Sequence, residues 1–385
     1  MAKTKSIHFF TTCPEPWGGS EELWAQSART MAGREYLVTA TLSFLDRSHP
    51  EVQRLIDAGV RLENYRGVPF LRRFGLLRGR WEPTLTIARL RSEKPELAVI
   101  SQGENMDGHR KISYCRQAGI PYVLICQKAA EDNCPLDTSR GRLKDGFEHA
   151  VRVFFVSEHN RRVTQQILGL RLTNSEVVWN PFKVGYQVQL PWPKPVDGKL
   201  RLACVARLWM KDKGQDLLLK VLAMEKWQKR ADQLEIHFYG NGHNAIATAE
   251  MADLLGVRNV KFCGFSQNVE EIWRHYHGLI LASRHEGLPL ALVEAMLCAR
   301  PAIVTNVGGN AEVVEDGVSG FIAQSPTVES VDDAMERAWN RRQEWERIGA
   351  TASKLIRKKV PADPSALFTA KLAAIHRDVA GSRHA

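Results

Sequence analysis

Short apolar runs recur along the chain, and between them lie longer stretches whose apolar positions return at helical spacing. Ser6–Phe10 (SIHFF), Tyr36–Leu42 (YLVTATL), Leu97–Ser101 (LAVIS), Tyr122–Cys126 (YVLIC) and Val153–Ser157 (VFFVS) read as strands. Ser20–Ala32 (SEELWAQSARTMA) and His159–Leu170 (HNRRVTQQILGL) read as helices. This alternation predicts parallel βαβ units and an α/β fold. Asn180–Lys199 then breaks the pattern with four prolines and no helical period, which predicts an interdomain linker over 181–198. A second series follows: Leu200–Ala206, Leu234–Gly240, Val260–Gly264, Gly278–Ser283 and Pro301–Asn306. The expected architecture is two Rossmann-like doubly wound domains, 1–180 and 199–358, facing across a cleft. Ligands in such sheets bind beyond the carboxyl ends of the strands.

Composition narrows the class without naming it. A chain of 385 residues with 44% apolar content supports two or three cored domains. No apolar run approaches the ~20 residues of a membrane span. The apolar part of the N-terminus, Ile7–Phe10, is too short for a signal-peptide core and reads as the first strand. The seven cysteines are scattered and form no C-x-x-C pair, so reduced thiols in a cytoplasmic protein are expected. The formal charge of +10 admits nucleic acid, anionic membrane or phosphorylated small molecules as partners. Helix-turn-helix, zinc-finger and aromatic RNA-binding signatures are all missing, so nucleic acid is not an expected partner.

The second half carries the chemistry. Arg207 and Lys213 flank a strand-to-helix turn, where two cations and a helix start suit a diphosphate, unless they are simply exposed basic residues. Gly240 and Gly242 follow a strand and either admit a ligand closely or form a plain turn. The backbone at Gly264 and Phe265 is placed to pair with a base edge. In SRHEGLPLALVEAM, Pro289 suits the first turn of a helix, and the free amides near Gly287, Leu288 and Leu290 suit phosphate. Glu286 lies beside that phosphate, and Glu294, within the helix, addresses another part of the same ligand, such as ribose hydroxyls. The pattern points to a diphosphate with a sugar at each end.

EGLPLALVEAM, followed by PAIVTNVGGNAEVVEDGVSGFI, resembles the E-x7-E donor-site signature of family 4 retaining glycosyltransferases, which have the GT-B fold. The Arg207–Lys213 pair with its following glycine is similar to that family's diphosphate clamp. The resemblance spans nearly the whole chain and is strongest over Leu200–Ala323. It implies that Glu286 contacts donor-sugar hydroxyls, Glu294 the ribose, and Arg207 and Lys213 the leaving diphosphate. It also implies a terminal helix, within 359–385, that crosses back to the first domain. Glu312, in GGNAE, reads as a helix-terminus residue. No D-x-D motif is present, so neither a metal nor a cofactor is implied, and the nucleotide-diphosphate sugar is a co-substrate.

In the first half, Gly18 and Gly19 either form the Gly-rich loop that the family turns toward the donor phosphates or make an ordinary βα turn. Ser20 is the expected N-cap, with Glu21 and Glu22 in the first turn. Trp17 either stacks on an acceptor or covers the loop. The family often has a histidine at the end of a first-domain strand, and Gln127 stands there in this sequence. Glutamine can donate to a sugar hydroxyl but cannot be a base, which leaves an altered active site or a binding and scaffolding protein as readings. Residues 68–81 (VPFLRRFGLLRGRW) place apolar residues on one helical face and arginines elsewhere. This suits either an interfacial helix on anionic lipid or a buried helix with solvated arginines. The expected acceptor is a glycan or lipid-linked glycan, and the expected location is the cytoplasm, peripheral to the inner face of the membrane if 68–81 binds lipid.

Overall fold

The apolar runs form strands because parallel strands with helices on both sides are buried on both faces. The computed structural model describes residues 5–64 and 82–382, so the basic-apolar stretch 68–81 lies outside the described residues. Two compact units emerge: Met1–Pro181 together with Asp363–Ala385, and Phe182–Ala362.

The first unit holds β1 (Lys5–Thr11), β2 (Tyr36–Leu42), β3 (Arg61–Asn64), β4 (Leu97–Gln102), β5 (Tyr122–Cys126), β6 (Arg152–Phe155) and β7 (Ser175–Val177). Its sheet order is β3-β2-β1-β4-β5-β6-β7, every pair parallel. Order reverses between β1 and β4, and a ligand crevice in such sheets lies at that reversal. β4 and β5 are buried at every position. β3 and β7 have no apolar run because they are short edge strands, and the hydrophobic pattern does not reveal them. The terminal helix Pro364–Ser382 packs on the helix Glu22–Ala32 within this unit. Phe368 meets Phe154 edge-on at 5.0 Å, and Thr369 bonds Ser27 at 3.0 Å.

The second unit holds β8 (Leu200–Val205), β9 (Leu234–Tyr239), β10 (Val260–Gly264), β11 (Gly278–Leu281), β12 (Ala302–Thr305) and β13 (Gly320–Ala323). They pair in parallel in the order β10-β9-β8-β11-β12-β13, so order reverses between β8 and β11. The loops leaving these two neighbours carry Arg207 and Glu286.

The proline-rich stretch, expected as a bare linker, is fastened along the second unit. Buried Arg300 donates to the Pro191 carbonyl at 2.7 Å and the Trp273 carbonyl at 2.8 Å. Tyr186 donates its hydroxyl to the Arg357 carbonyl at 2.7 Å. Prolines remove backbone donors, so side chains elsewhere in the unit take up the free carbonyls.

Candidate functional site: the loops after β8 and β11

β8 ends at Val205, and the chain turns through Arg207 into a one-turn helix, Met210–Lys213. Gly214 then adopts a left-handed φ of 60° and starts the helix Gln215–Leu222. A Cβ at Gly214 would lie 1.9 Å from the Ala282 carbonyl oxygen, so only glycine lets this loop approach the one leaving β11. Arg207 is exposed, and its carbonyl accepts from Gln215 Nε2 at 2.8 Å.

The glycines after β9 turn closely against the Arg207 loop. Gly240 has φ 137°, and a Cβ there would meet the Ala206 carbonyl oxygen at 2.1 Å. A Cβ at Gly242 would meet the Leu208 carbonyl oxygen at 2.4 Å. A side chain at either position would run into the chain's own backbone. Leu208 donates its N–H to the Asn241 carbonyl at 3.0 Å, and Gly240 donates to the Gly264 carbonyl at 2.8 Å. Both glycines therefore set the course of the Arg207 loop. Phe265, next to Gly264, is 66% exposed at the end of β10.

The loop after β11 brings the opposite charge. Glu286 is only 4% exposed. Its Oε1 accepts from Lys213 Nζ at 2.7 Å and from Ser283 Oγ at 2.8 Å. Arg284 grips Asp216 with two parallel bonds of 2.7 and 2.8 Å and donates to the Met210 carbonyl at 2.7 Å. The backbone N–H groups of Arg284 and His285 both reach the Asp212 carbonyl, at 2.7 and 3.1 Å. Burial acts to raise the Asp216 pKa, but the Arg284 guanidinium outweighs it and holds the carboxyl below its ordinary value. The two loops are thus latched, with Lys213 and Glu286 at their meeting point. The polar residues beside the glutamate, Ser283 and Arg284, were the missed signal.

Pro289, expected inside the first turn, is instead the cap of the helix Leu290–Leu297. The first N–H groups of that helix have no intrahelical acceptor. Leu290 and Ala291, four and five residues after Glu286, are the first two residues of that helix. Gly308 and Gly309, after β12, support the loop before it: a Cβ at Gly308 would lie 2.4 Å from the Glu286 carbonyl oxygen, and Gly309 donates to the Gly287 carbonyl at 2.6 Å. Glu294 is 3% exposed, and its Oε1 accepts the Lys183 N–H at 2.9 Å. Glu312 sits in the first turn of the short helix Asn310–Val313, as expected.

In the first unit, Gly18 is extended (φ −159°) and Gly19–Glu21 is a 3-10 turn. Ser20 lies within that turn and does not cap the helix, which begins at Glu22. Trp17 covers the loop: its Nε1 donates to Glu22 Oε1 at 3.1 Å, and its ring stacks on His49 at 5.4 Å. Glu21 is buried and accepts from Thr11 Oγ1 at 2.9 Å and Trp24 Nε1 at 3.0 Å. Burial raises its carboxyl to about 7, although these bonds oppose the shift. Gln127 directly follows β5 and is 6% exposed. Its Oε1 accepts from Asn180 Nδ2 at 2.7 Å, and its Nε2 is buried without a hydrogen-bond partner.

Two parallel Rossmann-like units of this kind are the GT-B architecture, and the solved structures that superpose on the chain include glycosyltransferases. Residues 199–341 match the family model "Glycosyl transferases group 1", a span that contains Arg207, Lys213, Glu286 and Glu294. Among curated proteins, the chain is 36% identical over 100 residues to the Vi polysaccharide biosynthesis protein VipC/TviE of Salmonella typhi, 26% of this chain and 17% of that protein. It is 30% identical over 112 residues to the putative glycosyltransferase EpsD of Bacillus subtilis, 29% of each chain. The chain therefore spans well under a third of the length of these relatives. Among solved structures, HepE of Anabaena in complex with UDP superposes with a TM-score of 0.71 at 18% identity, covering 98% of this chain and 99% of that one.

Proposed function

We propose that the protein is a retaining glycosyltransferase that moves a sugar from a nucleoside-diphosphate donor to a hydroxyl of a glycan or lipid-linked glycan. The observation that carries this reading is the Lys213–Glu286 contact of 2.7 Å, four residues before the helix start at Leu290, at the β8/β11 reversal. Lys213, Arg207 and the helix start hold the diphosphate, and Glu286 holds hydroxyls of the sugar attached to it. Fixed donors aimed at the charge that grows on a leaving group stabilise the transition state strongly. The departing phosphate oxygen takes the acceptor proton on the same face, so the sugar keeps its configuration. The two cations supply the charge that a divalent ion would otherwise bring, and turnover is expected to survive chelation. Uridine is the favoured base, supported by the UDP bound to HepE.

Gln127 favours a second reading, a nucleotide-sugar-binding protein without transfer, because glutamine cannot serve as a base. Incubation with UDP-hexoses separates the two, since even slow release of UDP supports the enzyme. The anomeric configuration of the product, read by NMR, tests retention. A thermal-shift panel in which no nucleoside diphosphate or its sugar stabilises the protein would sink both readings, because a ligand at ~100 times its Kd adds ~2.7 kcal/mol.

A further inference from the structure

A cavity opens at the end of the β8–β13 sheet opposite the Arg207 and Glu286 loops. It measures about 300 Å³ and is lined by Arg201, Glu235, His237, Arg258, Asn259 and Lys261, among others. Arg201, Glu235, Arg258, Asn259 and Lys261 lie at or just before the starts of β8, β9 and β10, and His237 lies two residues further along β9. Arg207, Gly240 and Phe265 lie at or just after the ends of the same strands. Five residue steps along β9 separate the two ends by roughly 16 Å. The cavity is therefore distinct from the donor loops.

The face that forms it departs from the pattern of the rest of the sheet. Along β9, Leu234, Ile236 and Phe238 are buried, while Glu235, His237 and Tyr239 alternate with them toward the other face. Parallel register sets Arg201 beside Glu235 and Lys261 beside His237 on that second face. Glu235 is already engaged: Arg201 Nε donates to it at 3.0 Å, Lys199 Nζ at 3.3 Å, and His237 Nε2 lies 3.3 Å away. His237 Nδ1 also meets the Tyr276 hydroxyl at 2.6 Å, so the histidine is fixed on both sides. Arg258 and Lys261 are exposed at the rim and form no ion pair among the described residues. Asn259 is buried; it donates Nδ2 to the Leu234 carbonyl at 2.9 Å, and its Oδ1 has no hydrogen-bond partner.

Two unanswered cations at the rim fit a doubly charged phosphate. A buried amide oxygen in want of a donor, beside the Glu235 carboxylate, fits hydroxyl groups. A cavity of this volume lies at the small end of ligand-binding sites. We propose that it binds a small phosphomonoester bearing hydroxyl groups, with Arg258 and Lys261 on the phosphate and Asn259 and Glu235 on the hydroxyls. Charge-assisted bonds from a guanidinium and an ammonium supply most of the affinity, and the acceptors below them supply selectivity over a bare anion.

The same chemistry occurs in free sugar phosphates and in the headgroup of phosphatidylinositol 4-phosphate, and the experiment separates them. The full chain and its Arg258→Gln/Lys261→Gln variant, both substitutions being at exposed positions, are titrated calorimetrically with ribose 5-phosphate and with inorganic phosphate. Both proteins are also sedimented with phosphatidylcholine vesicles, with and without phosphatidylinositol 4-phosphate. The site predicts that ribose 5-phosphate binds about tenfold more tightly than inorganic phosphate and loses about tenfold or more in the variant. Retention on phosphatidylinositol 4-phosphate vesicles that the variant loses supports the site with a lipid as the source. Inorganic phosphate binding as tightly as ribose 5-phosphate overturns the assignment. So does binding of ribose 5-phosphate or vesicles that the double substitution leaves unchanged, or no binding of either.

Discussion

Replacing Lys213 with methionine keeps most of the side chain's bulk and removes its charge. Glu286 then loses its 2.7 Å partner and keeps only the Ser283 hydroxyl at 2.8 Å. Removing one partner of a fully buried pair costs about 3–5 kcal/mol. The Lys213 side chain is 23% exposed against 5% for Glu286, so water reaches one side of the pair. That screening lowers the expected cost to about 2–3 kcal/mol. For a unit of this size each kcal/mol lowers Tm by about 2–4 °C, which gives a drop of roughly 4–12 °C in the second unit. Glu286→Gln keeps an acceptor for both donors and costs about 1 kcal/mol. The double variant strands no carboxylate, so it should be more stable than K213M alone by about 1–2 kcal/mol. Turnover separates charge from folding: K213M and the double variant should both lose about a hundred- to a thousandfold in kcat, because each lacks the cation on the diphosphate. Calorimetry and steady-state UDP release on the four proteins test both halves. Equal melting of K213M and the double variant, or turnover of K213M within threefold of the parent, would refute the reasoning.

Three further outcomes follow from the geometry. Gly240→Ala puts a Cβ 2.1 Å from the Ala206 carbonyl oxygen at a φ of 137°, so it should displace the Arg207 loop and weaken UDP binding at least about tenfold; unchanged affinity by calorimetry contradicts the supporting role of that glycine. Asp216→Asn removes the charge from the two-pronged Arg284 contact and should lower stability by about 1–2 kcal/mol, seen as a lower urea midpoint at constant slope; an unmoved midpoint denies the latch. Burial raises the Glu21 carboxyl from 4.5 to about 7, so the folded chain holds a proton that the unfolded chain releases. The resulting stability is complete below the unfolded pKa and is lost as pH rises through the folded one. Glu21→Gln has no such titration, and its Tm relative to the parent should climb between about pH 4.5 and pH 7; a flat difference across that range rejects the protonated carboxyl.

The alternation of apolar runs and amphipathic stretches was enough to assign the α/β class and the central strands. These features are legible because burial on both faces leaves an unbroken apolar run, as in Tyr122–Cys126. Arg61–Asn64 and Ser175–Val177 were not legible, because edge strands are half exposed and need no such run. The order of the motifs likewise pointed to Arg207, Lys213 and Glu286 at strand-to-helix turns of one unit and to Glu294 within the helix that follows. What the sequence could not decide is which residues meet. Lys213 and Glu286 are 73 positions apart, and they touch because β8 and β11 are neighbours in the sheet. Gly240 and Gly242 likewise read as either ligand-admitting glycines or a plain turn, and only the packing of one loop on another shows the backbone that a Cβ there would meet. Local periodicity records whether a residue faces core or water, which each residue decides with its near neighbours along the chain. Contacts between loops depend on strand order, and strand order is fixed only when the whole sheet closes its hydrogen bonds.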